Sequence, residues 1–64
     1  MVTINGSPVQ VSGMNILDYL RQAGFSPEVV VVEKNLQIIP REALGSTLLE
    51  DGDNVEILRF VGGG

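Results

Sequence analysis

Hydrophobic and polar residues alternate at the start of the chain, on both sides of an Asn5-Gly6 dipeptide. This dipeptide favours a tight hairpin turn, because such a turn needs positive φ at both central positions. Pro8 fits that turn, since it then lies opposite Thr3 at a pair that requires no N–H from it. We therefore predict two antiparallel strands whose apolar residues share one face: Val2, Ile4, Val9 and Val11.

A helix is predicted after the hairpin, with signals at both of its ends. Asn15 is suited to cap the N-terminus, and Asp18 lies three residues later, near the positive end of the helix dipole. Gly24 supplies the left-handed residue that ends many helices, and Phe25 is expected to fold back on Leu20. The apolar residues form one stripe, which predicts packing against a sheet: Ile16, Leu17, Leu20 and Ala23.

The middle of the chain predicts two further strands and one helical turn. Residues 29–33 begin with four valines, which indicates a strand that is buried on both sides or lies near the centre of the sheet. Residues 36–39 predict a short edge strand that ends at Pro40, because proline cannot donate to a sheet ladder. Residues 40–45 have proline at the start and glycine at the end of a predicted helical turn.

The last strand is predicted over residues 54–61, after a tight acidic turn at residues 50–53. Its residues alternate, so only one of its two faces can enter the core. Val55 and Ile57 make the better core pair, because the opposite face begins with Glu56. The strand then leads outward with apolar side chains, and we predict a partner-binding surface there: Glu56, Leu58, Phe60 and Val61.

Composition restricts the chemistry of this chain. Its 64 residues make one domain with 44% apolar residues, enough for one small core. The absence of cysteine and histidine excludes disulfides, thiol nucleophiles and Cys/His metal sites, so no metal is expected. An independent enzyme would depend on Lys34, Tyr19, hydroxyls or carboxylates. The carboxylates are typical of turns and solvated faces instead: Glu33, Glu42, Glu50, Asp51 and Asp53.

Charge indicates which partners are suitable. The net charge of −4 disfavours nucleic acids and anionic membranes and favours a basic protein surface. No apolar stretch approaches the roughly 18 residues of a membrane span, and the N-terminus lacks the basic region of a secretion signal. A cytoplasmic location is therefore expected.

The chain closes with Gly62-Gly63-Gly64. Glycine-rich ends occur as frayed termini, but they also make a thin arm, because a residue without Cβ permits close approach of another backbone. Such an arm can carry a terminal carboxylate into a narrow channel. We divide the chain into a folded domain at residues 1–61 and a flexible tail at residues 62–64.

The order of predicted elements resembles the β-grasp or ubiquitin-like fold, an α+β fold with one main helix on one face of a mixed four- to five-stranded sheet. Three short motifs extend the likeness: Pro40-Arg41-Glu42, Asp51-Gly52-Asp53 and the terminal glycines. With them, residues 1–64 resemble the ThiS family, the sulfur carriers of thiamine biosynthesis. Gly62 is one glycine more than the pair expected in that family, and it lengthens the arm.

This resemblance implies a protein co-substrate rather than an enzyme, with no cofactor of its own. In the ThiS family an E1-like adenylyltransferase uses ATP to adenylate the terminal glycine, which is Gly64 here, and the glycine is then converted to a thiocarboxylate. A sulfur donor enzyme supplies the sulfur, and thiazole synthase receives it for the thiazole ring. Gly62 and Gly63 would thread into the partner's site, and the free carrier would be a monomer.

Other roles remain open within the same fold. The small subunit of molybdopterin synthase and carriers for other sulfur-containing metabolites share the tail chemistry, and ubiquitin-like modifiers join their tails to lysines. The short length favours the thiamine carrier over the molybdopterin subunit. A binding or regulatory β-grasp domain, whose glycines have no chemical role, is a further alternative.

Overall fold

The computed structural model describes residues 1–59 of the chain. It opens with a hairpin of strands β1, Val2–Ile4, and β2, Ser7–Val9. Asn5 and Gly6 between them have φ angles of 51° and 84°. The register places Thr3 opposite Pro8, which confirms the predicted turn and its pairing. The predictions for residues 60–64, including the domain boundary after residue 61, concern residues outside the described part of the chain.

Helix α1, Ile16–Ala23, begins at the predicted cap. The side-chain oxygen of Asn15 accepts the Asp18 N–H at 2.8 Å, and the Asn15 amide donates to the Asp18 carboxylate at 3.1 Å. One free N–H of the first turn is thereby satisfied. The predicted apolar stripe is one residue too long, because Ala23 is exposed while the other members are buried or half-buried. Ala23 is the last residue of α1, directly before the Gly24 cap.

The C-terminus of α1 is closed by two backbone hydrogen bonds. Gly24 has a φ of 89°, and its N–H donates to the carbonyl of Arg21 at 3.2 Å. The Phe25 N–H donates to the carbonyl of Leu20 at 2.8 Å. This pair of bonds is the Schellman motif, which glycine favours because it lacks a Cβ. Both predicted ends of the helix are confirmed.

The valine run is divided between two elements, which corrects its predicted burial. Val29 belongs to a 3₁₀ helix, Pro27–Val29, and is 45% exposed. Strand β3 covers Val30–Lys34 and alternates between buried and half-buried residues, with Val31 on the less buried side. The first alternative, a strand buried on both sides, is therefore wrong. The second, a position inside the sheet, is confirmed, because β3 pairs with a neighbouring strand on each of its two edges. A helix covers one face of the sheet, and a β-branched run cannot show whether the second face is covered as well.

The connection from β3 to strand β4, Gln37–Ile39, is a second hairpin turn that the sequence pattern did not indicate. Asn35 and Leu36 form it with φ angles of 53° and 69°. Leu36 was predicted to be in the strand but is 91% exposed. Such a turn is usually recognised by glycine or asparagine at its second position. Leu36 occupies that position here, and because leucine rarely adopts positive φ, the sequence gives no signal of the turn. The predicted edge position of β4 is confirmed.

Residues Arg41–Ser46 form the expected helical turn, a 3₁₀ helix that begins after Pro40. The chain then passes Leu49, which is fully buried, and reaches strand β5, Asn54–Arg59. Within residues 1–59, five strands form one mixed sheet in the order β2-β1-β5-β3-β4. Strand β5 lies at its centre, parallel to β1 and antiparallel to β3.

The core lies between α1 and one face of this sheet. Its buried side chains come from α1, from the strands, from the segment before α1, from the second 3₁₀ helix and from the segment after that helix: Val2, Ile4, Val11, Ile16, Leu20, Val30, Val32, Leu44, Leu49, Val55 and Ile57. The face of the sheet opposite α1 has no second layer among the described residues. We call it the open face, and it carries Val31, Glu33, Ile38, Glu56 and Leu58.

We expect Leu20→Ala to lower the free energy of unfolding by about 2 to 5 kcal/mol, because Leu20 is completely buried and its truncation leaves a cavity. Leu36→Ala removes the same atoms from a side chain that is 91% exposed and should change the stability by less than about 0.5 kcal/mol. Urea unfolding of both variants measures the difference. Equal losses of stability would contradict this assignment of the core.

Candidate functional site

The candidate site is the part of β5 that leads into residues 60–64. Of the residues predicted to act there, Glu56 and Leu58 lie within the described chain. Phe60, Val61, Gly62, Gly63 and Gly64 lie outside it, so their predicted roles remain predictions.

Strand β5 exposes and buries its residues alternately, as its sequence predicts. Val55 and Ile57 are 1% and 6% exposed and belong to the core. Glu56 is exposed, and Leu58 is 47% exposed on the open face. The choice of core face is therefore confirmed, and both candidate partner-binding residues are accessible.

Strands β3 and β4 place further residues beside this pair on the open face. Val31 lies opposite Leu58, and Glu33 lies opposite Glu56. Ile38 of β4 lies opposite Glu33 and is 65% exposed. The open face thus combines three apolar side chains with two carboxylates, and sequence reasoning identified only its β5 members. The cross-strand neighbours depend on the register, which no local pattern indicates.

The two glutamates face each other without a cation between them in the described structure. Like charges directly opposite each other in a sheet destabilise the pairing. The ion pairs among residues 1–59 lie elsewhere: Met1 with Asp51 at 2.7 Å, and Lys34 with Asp53 at 3.6 Å. Glu33 and Glu56 therefore leave a local negative charge that a basic group from outside the chain would relieve.

Two contacts hold the far end of β5 at its last described residue. The Arg59 guanidinium lies over the ring of Phe25, 5.2 Å from its centroid, in a cation–π contact. Arg59 is also paired in register with Val30 of β3. The end of the strand is thus tied to both the helix cap and the neighbouring strand.

The turn residue Asn5 approaches β5 from the other side. Its side-chain oxygen accepts the Ile57 N–H at 2.8 Å, and its amide nitrogen donates to the Ile57 carbonyl at 3.4 Å. The backbone N–H of Asn5 donates to Val55 at 2.9 Å. The sequence identified Asn5 as a turn residue and gave no sign of this second role.

The beginning of β5 is fixed by a buried carboxylate, Asp53, which is 9% exposed. It accepts hydrogen bonds from the Asn35 amide at 3.0 Å and from the Glu50 N–H at 2.9 Å, and Lys34 lies close by. Sequence reasoning placed Asp53 on a solvated turn. That interpretation is wrong for Asp53, because Asn35 of the β3–β4 turn and Lys34 at the end of β3 lie beside its carboxylate, and the sequence did not reveal this turn.

The pKa of Asp53 shows the balance of these contacts. Burial raises the pKa by penalising the charged form. The hydrogen bonds from Asn35 and Glu50, together with the charge of Lys34, more than offset burial, so the pKa of Asp53 lies below its usual value of 3.8. The ionised carboxylate is therefore the form that stabilises the folded chain.

The described residues contain no group of three His, Cys, Asp or Glu side chains placed to hold a metal ion. In residues 1–59 no helix is long and apolar enough to cross a membrane.

Comparison with known proteins adds to this geometry. The family model described as "ThiS family" matches residues 2–64. This chain belongs to the ThiS family. It is 36% identical over its full length to the sulfur carrier protein ThiS of Bacillus subtilis strain 168, and the match covers all of that protein. The expectation of a sulfur carrier of thiamine biosynthesis rather than an enzyme is confirmed at the level of the family.

The fold agrees as well. The crystal structure of the thiamine biosynthesis protein ThiS from Geobacter metallireducens has a TM-score of 0.82 and 39% sequence identity to this chain. The match covers 98% of this chain and 97% of that one. The predicted β-grasp architecture, with a mixed sheet and one main helix, is confirmed.

A longer relative is also similar. The thiazole synthase of Magnetococcus marinus is 34% identical over 64 residues, which include 98% of this chain. This chain spans about a fifth of the length of that protein, since the match covers 20% of it. That protein therefore contains a region similar to this chain.

We expect Asp53→Asn to weaken the fold at neutral pH by about 1 to 3 kcal/mol, because it removes the charge that Lys34 and the hydrogen bonds stabilise. The folded pKa lies below 3.8, so the contribution of Asp53 is complete above that value and is lost as the pH falls through the folded pKa. The variant should therefore lose less stability between about pH 7 and pH 3 than the wild type. Urea unfolding at both pH values measures this.

Glu42→Gln is the control, because Glu42 is exposed and is not among the partners of Asp53. Acid should affect it as much as it affects the wild type. An Asp53→Asn protein with unchanged acid sensitivity would contradict the assignment of Asp53 as a stabilising anion.

Proposed function

We propose that this chain carries sulfur on the C-terminal carboxylate of Gly64, as a thiocarboxylate destined for the thiazole ring of thiamine. Family membership and the full-length similarity to the Bacillus subtilis sulfur carrier support this role. The structural observation that favours Gly64 is the position of β5. It is the central strand, fixed on both sides, and the chain leads from it directly into residues 60–64.

The chemistry requires activation from outside the chain. A carboxylate is a poor acyl group until a good leaving group is attached. An E1-like adenylyltransferase would join the Gly64 carboxylate oxygen to the α-phosphorus of ATP and release pyrophosphate. A hydrosulfide ion supplied by a donor enzyme would then attack the acyl carbon, form the C–S bond and displace AMP, which leaves the thiocarboxylate on Gly64. Because water would hydrolyse the acyl adenylate, the partner must enclose the reacting carbon.

The glycines suit an enclosed site. Gly62 and Gly63 have no side chains to block a narrow channel, and glycine permits almost any backbone conformation. Ordering such residues on binding costs on the order of 1 to 2 kcal/mol each. Apolar contact by Leu58, Phe60 and Val61 would offset part of this cost, and Leu58 is already exposed on the open face.

Three partners follow from this role: the adenylyltransferase, the sulfur donor enzyme and thiazole synthase. ATP is the substrate of the first partner, and the carrier itself binds no cofactor. The reaction consumes ATP, which favours a cytoplasmic location. The similarity to a thiazole synthase supports the final recipient.

We assign the partner-binding role to the open face next to the tail. Glu56 and Glu33 face each other across β5 and β3, and neither forms an ion pair within residues 1–59, so a basic side chain on the partner would relieve their repulsion. Leu58 and Val31 offer apolar contact beside the charges. Charge complementarity of this kind accelerates association more than it tightens the final complex.

The proposal predicts a change in intact mass. Incubation with an active adenylyltransferase, ATP and a sulfur source should replace one carboxylate oxygen of Gly64 with sulfur. Mass spectrometry of the intact protein detects this replacement as an increase in mass. Deleting Gly64 should abolish the exchange and leave the circular dichroism spectrum and the stability unchanged, because the core lies within residues 1–59. Sulfur incorporation by the deletion variant would contradict the proposal, and so would an unchanged wild-type mass beside a positive control carrier.

The open face makes a separate prediction. Glu56→Lys should slow association with the adenylyltransferase by about tenfold at low salt and by less at high salt, because exposed charges are screened. Glu42→Lys makes the same charge change on the 3₁₀ helix at Arg41–Ser46, away from β5, and should have a smaller effect. Stopped-flow binding across salt concentrations measures both rates. Equal slowing by the two substitutions would show a general effect of net charge and would argue against the open face.

A further inference from the structure

We propose that Asn5 is a positioning residue for the segment that carries Gly64, and that it acts through the backbone of Ile57. The inference rests on the proposed function for its consequence in sulfur transfer. Its geometric basis is independent of that function.

The bonds of Asn5 resemble those of a strand residue. Its backbone N–H donates to Val55, its side-chain oxygen accepts the Ile57 N–H, and its amide nitrogen reaches the Ile57 carbonyl. The N–H and the C=O of Ile57 are thus both engaged by one carboxamide. In a longer β1, two residues would share this task, one accepting from the Ile57 N–H and the other donating to the Ile57 carbonyl.

The Asn5 side chain takes the place of further β1 backbone because β1 is short. Its parallel pairing with β5 includes Ile4 opposite Val55, and the chain then turns at Asn5-Gly6. On the other side of β5, strand β3 continues the pairing as far as Arg59. Without the Asn5 side chain, β5 would be held from one side only after Val55. A strand held from one side can twist and bend away from the sheet, and the segment after it would change direction.

A second asparagine has the same arrangement at the opposite end of β5. Asn35 also has positive φ in a hairpin turn, with a value of 53°. Its N–H donates to the Asn54 carbonyl at 2.8 Å, and its side-chain oxygen accepts the Asn54 N–H at 2.9 Å. Asn35 thus fixes the beginning of β5, whereas Asn5 fixes the part nearest to the tail. The two residues form a matched pair for an experiment.

Glycine is the informative replacement at both positions. It adopts positive φ without strain, so Asn5→Gly and Asn35→Gly preserve the turns and remove only the carboxamides. Asn5→Asp is a second variant in case the glycine variant does not fold. It retains an acceptor for the Ile57 N–H and loses the donor to the Ile57 carbonyl.

The first measurement is amide hydrogen exchange by NMR on the free protein. Asn5→Gly should accelerate exchange at Ile57 about tenfold or more, as expected when a hydrogen-bonded edge opens locally. Asn35→Gly should accelerate exchange at Asn54 and leave Ile57 within about twofold of the wild type after correction for global stability. Asn5→Asp should give an intermediate rate at Ile57. An unchanged rate at Ile57 in Asn5→Gly would overturn the proposal.

The second measurement is the steady-state kinetics of adenylation with each carrier as the substrate, at a temperature where all are folded. Asn5→Gly should lower kcat/KM about tenfold, because a small misdirection of the reacting group is costly. Asn35→Gly should remain within about twofold of the wild type. Equal losses in both variants would show a structural role without positioning and would refute the inference. A wild-type carrier that is not adenylated counts against the proposed function, and the exchange rates at Ile57 then decide the role of Asn5.

Discussion

Strand β5 lies between β1 and β3, and only one of its faces can be covered by the helix. Val55 and Ile57 occupy that face and complete the core with Leu20, which is fully buried. Because side chains alternate along a strand, the burial of these two residues places Glu56 and Leu58 on the opposite face. One packing requirement therefore determines the core, the open face and the strand from which the tail continues. A shift of register by one residue would exchange the two faces and destroy all three.

The polar residues of the turns secure this strand. Asn5 and Asn35 adopt positive φ at two hairpin turns, and both use their carboxamides to bond the backbone of β5. Asp53 adds a buried carboxylate at the start of the strand, where Lys34 and two hydrogen-bond donors stabilise its charge. In a domain of 64 residues the core alone contributes limited stability, so specific polar contacts of this kind have more weight than in a larger protein.

Local patterns were sufficient to predict the first hairpin, both ends of α1 and the core face of β5. In each case the signal lies within a few residues, such as Asn5-Gly6 or the Asn15 and Gly24 caps. The features that sequence reasoning missed depend on long-range pairing or on unusual backbone conformation. The second hairpin turn could not be predicted, because Leu36 rather than glycine has positive φ there. Without that turn, the hydrogen bond from Asn35 to Asp53 could not be predicted either. The opposition of Glu33 and Glu56 depends on the register of β3 with β5, which the sequence does not display.

On the proposed function, the chain would present one carbon atom to several partner enzymes and would perform no catalysis itself. Ordering consecutive glycines on binding costs conformational entropy. Contacts that hold the last described residues of β5 would fix the point from which residues 60–64 continue, without adding side chains that would obstruct a channel. The contacts of Ile57 with Asn5 and of Arg59 with Phe25 are suited to this task, because they act on the last described residues of β5 and leave the open face accessible. On the proposed function, Glu33 and Glu56, which form no ion pair within residues 1–59, would attract a basic group of a partner to the open face.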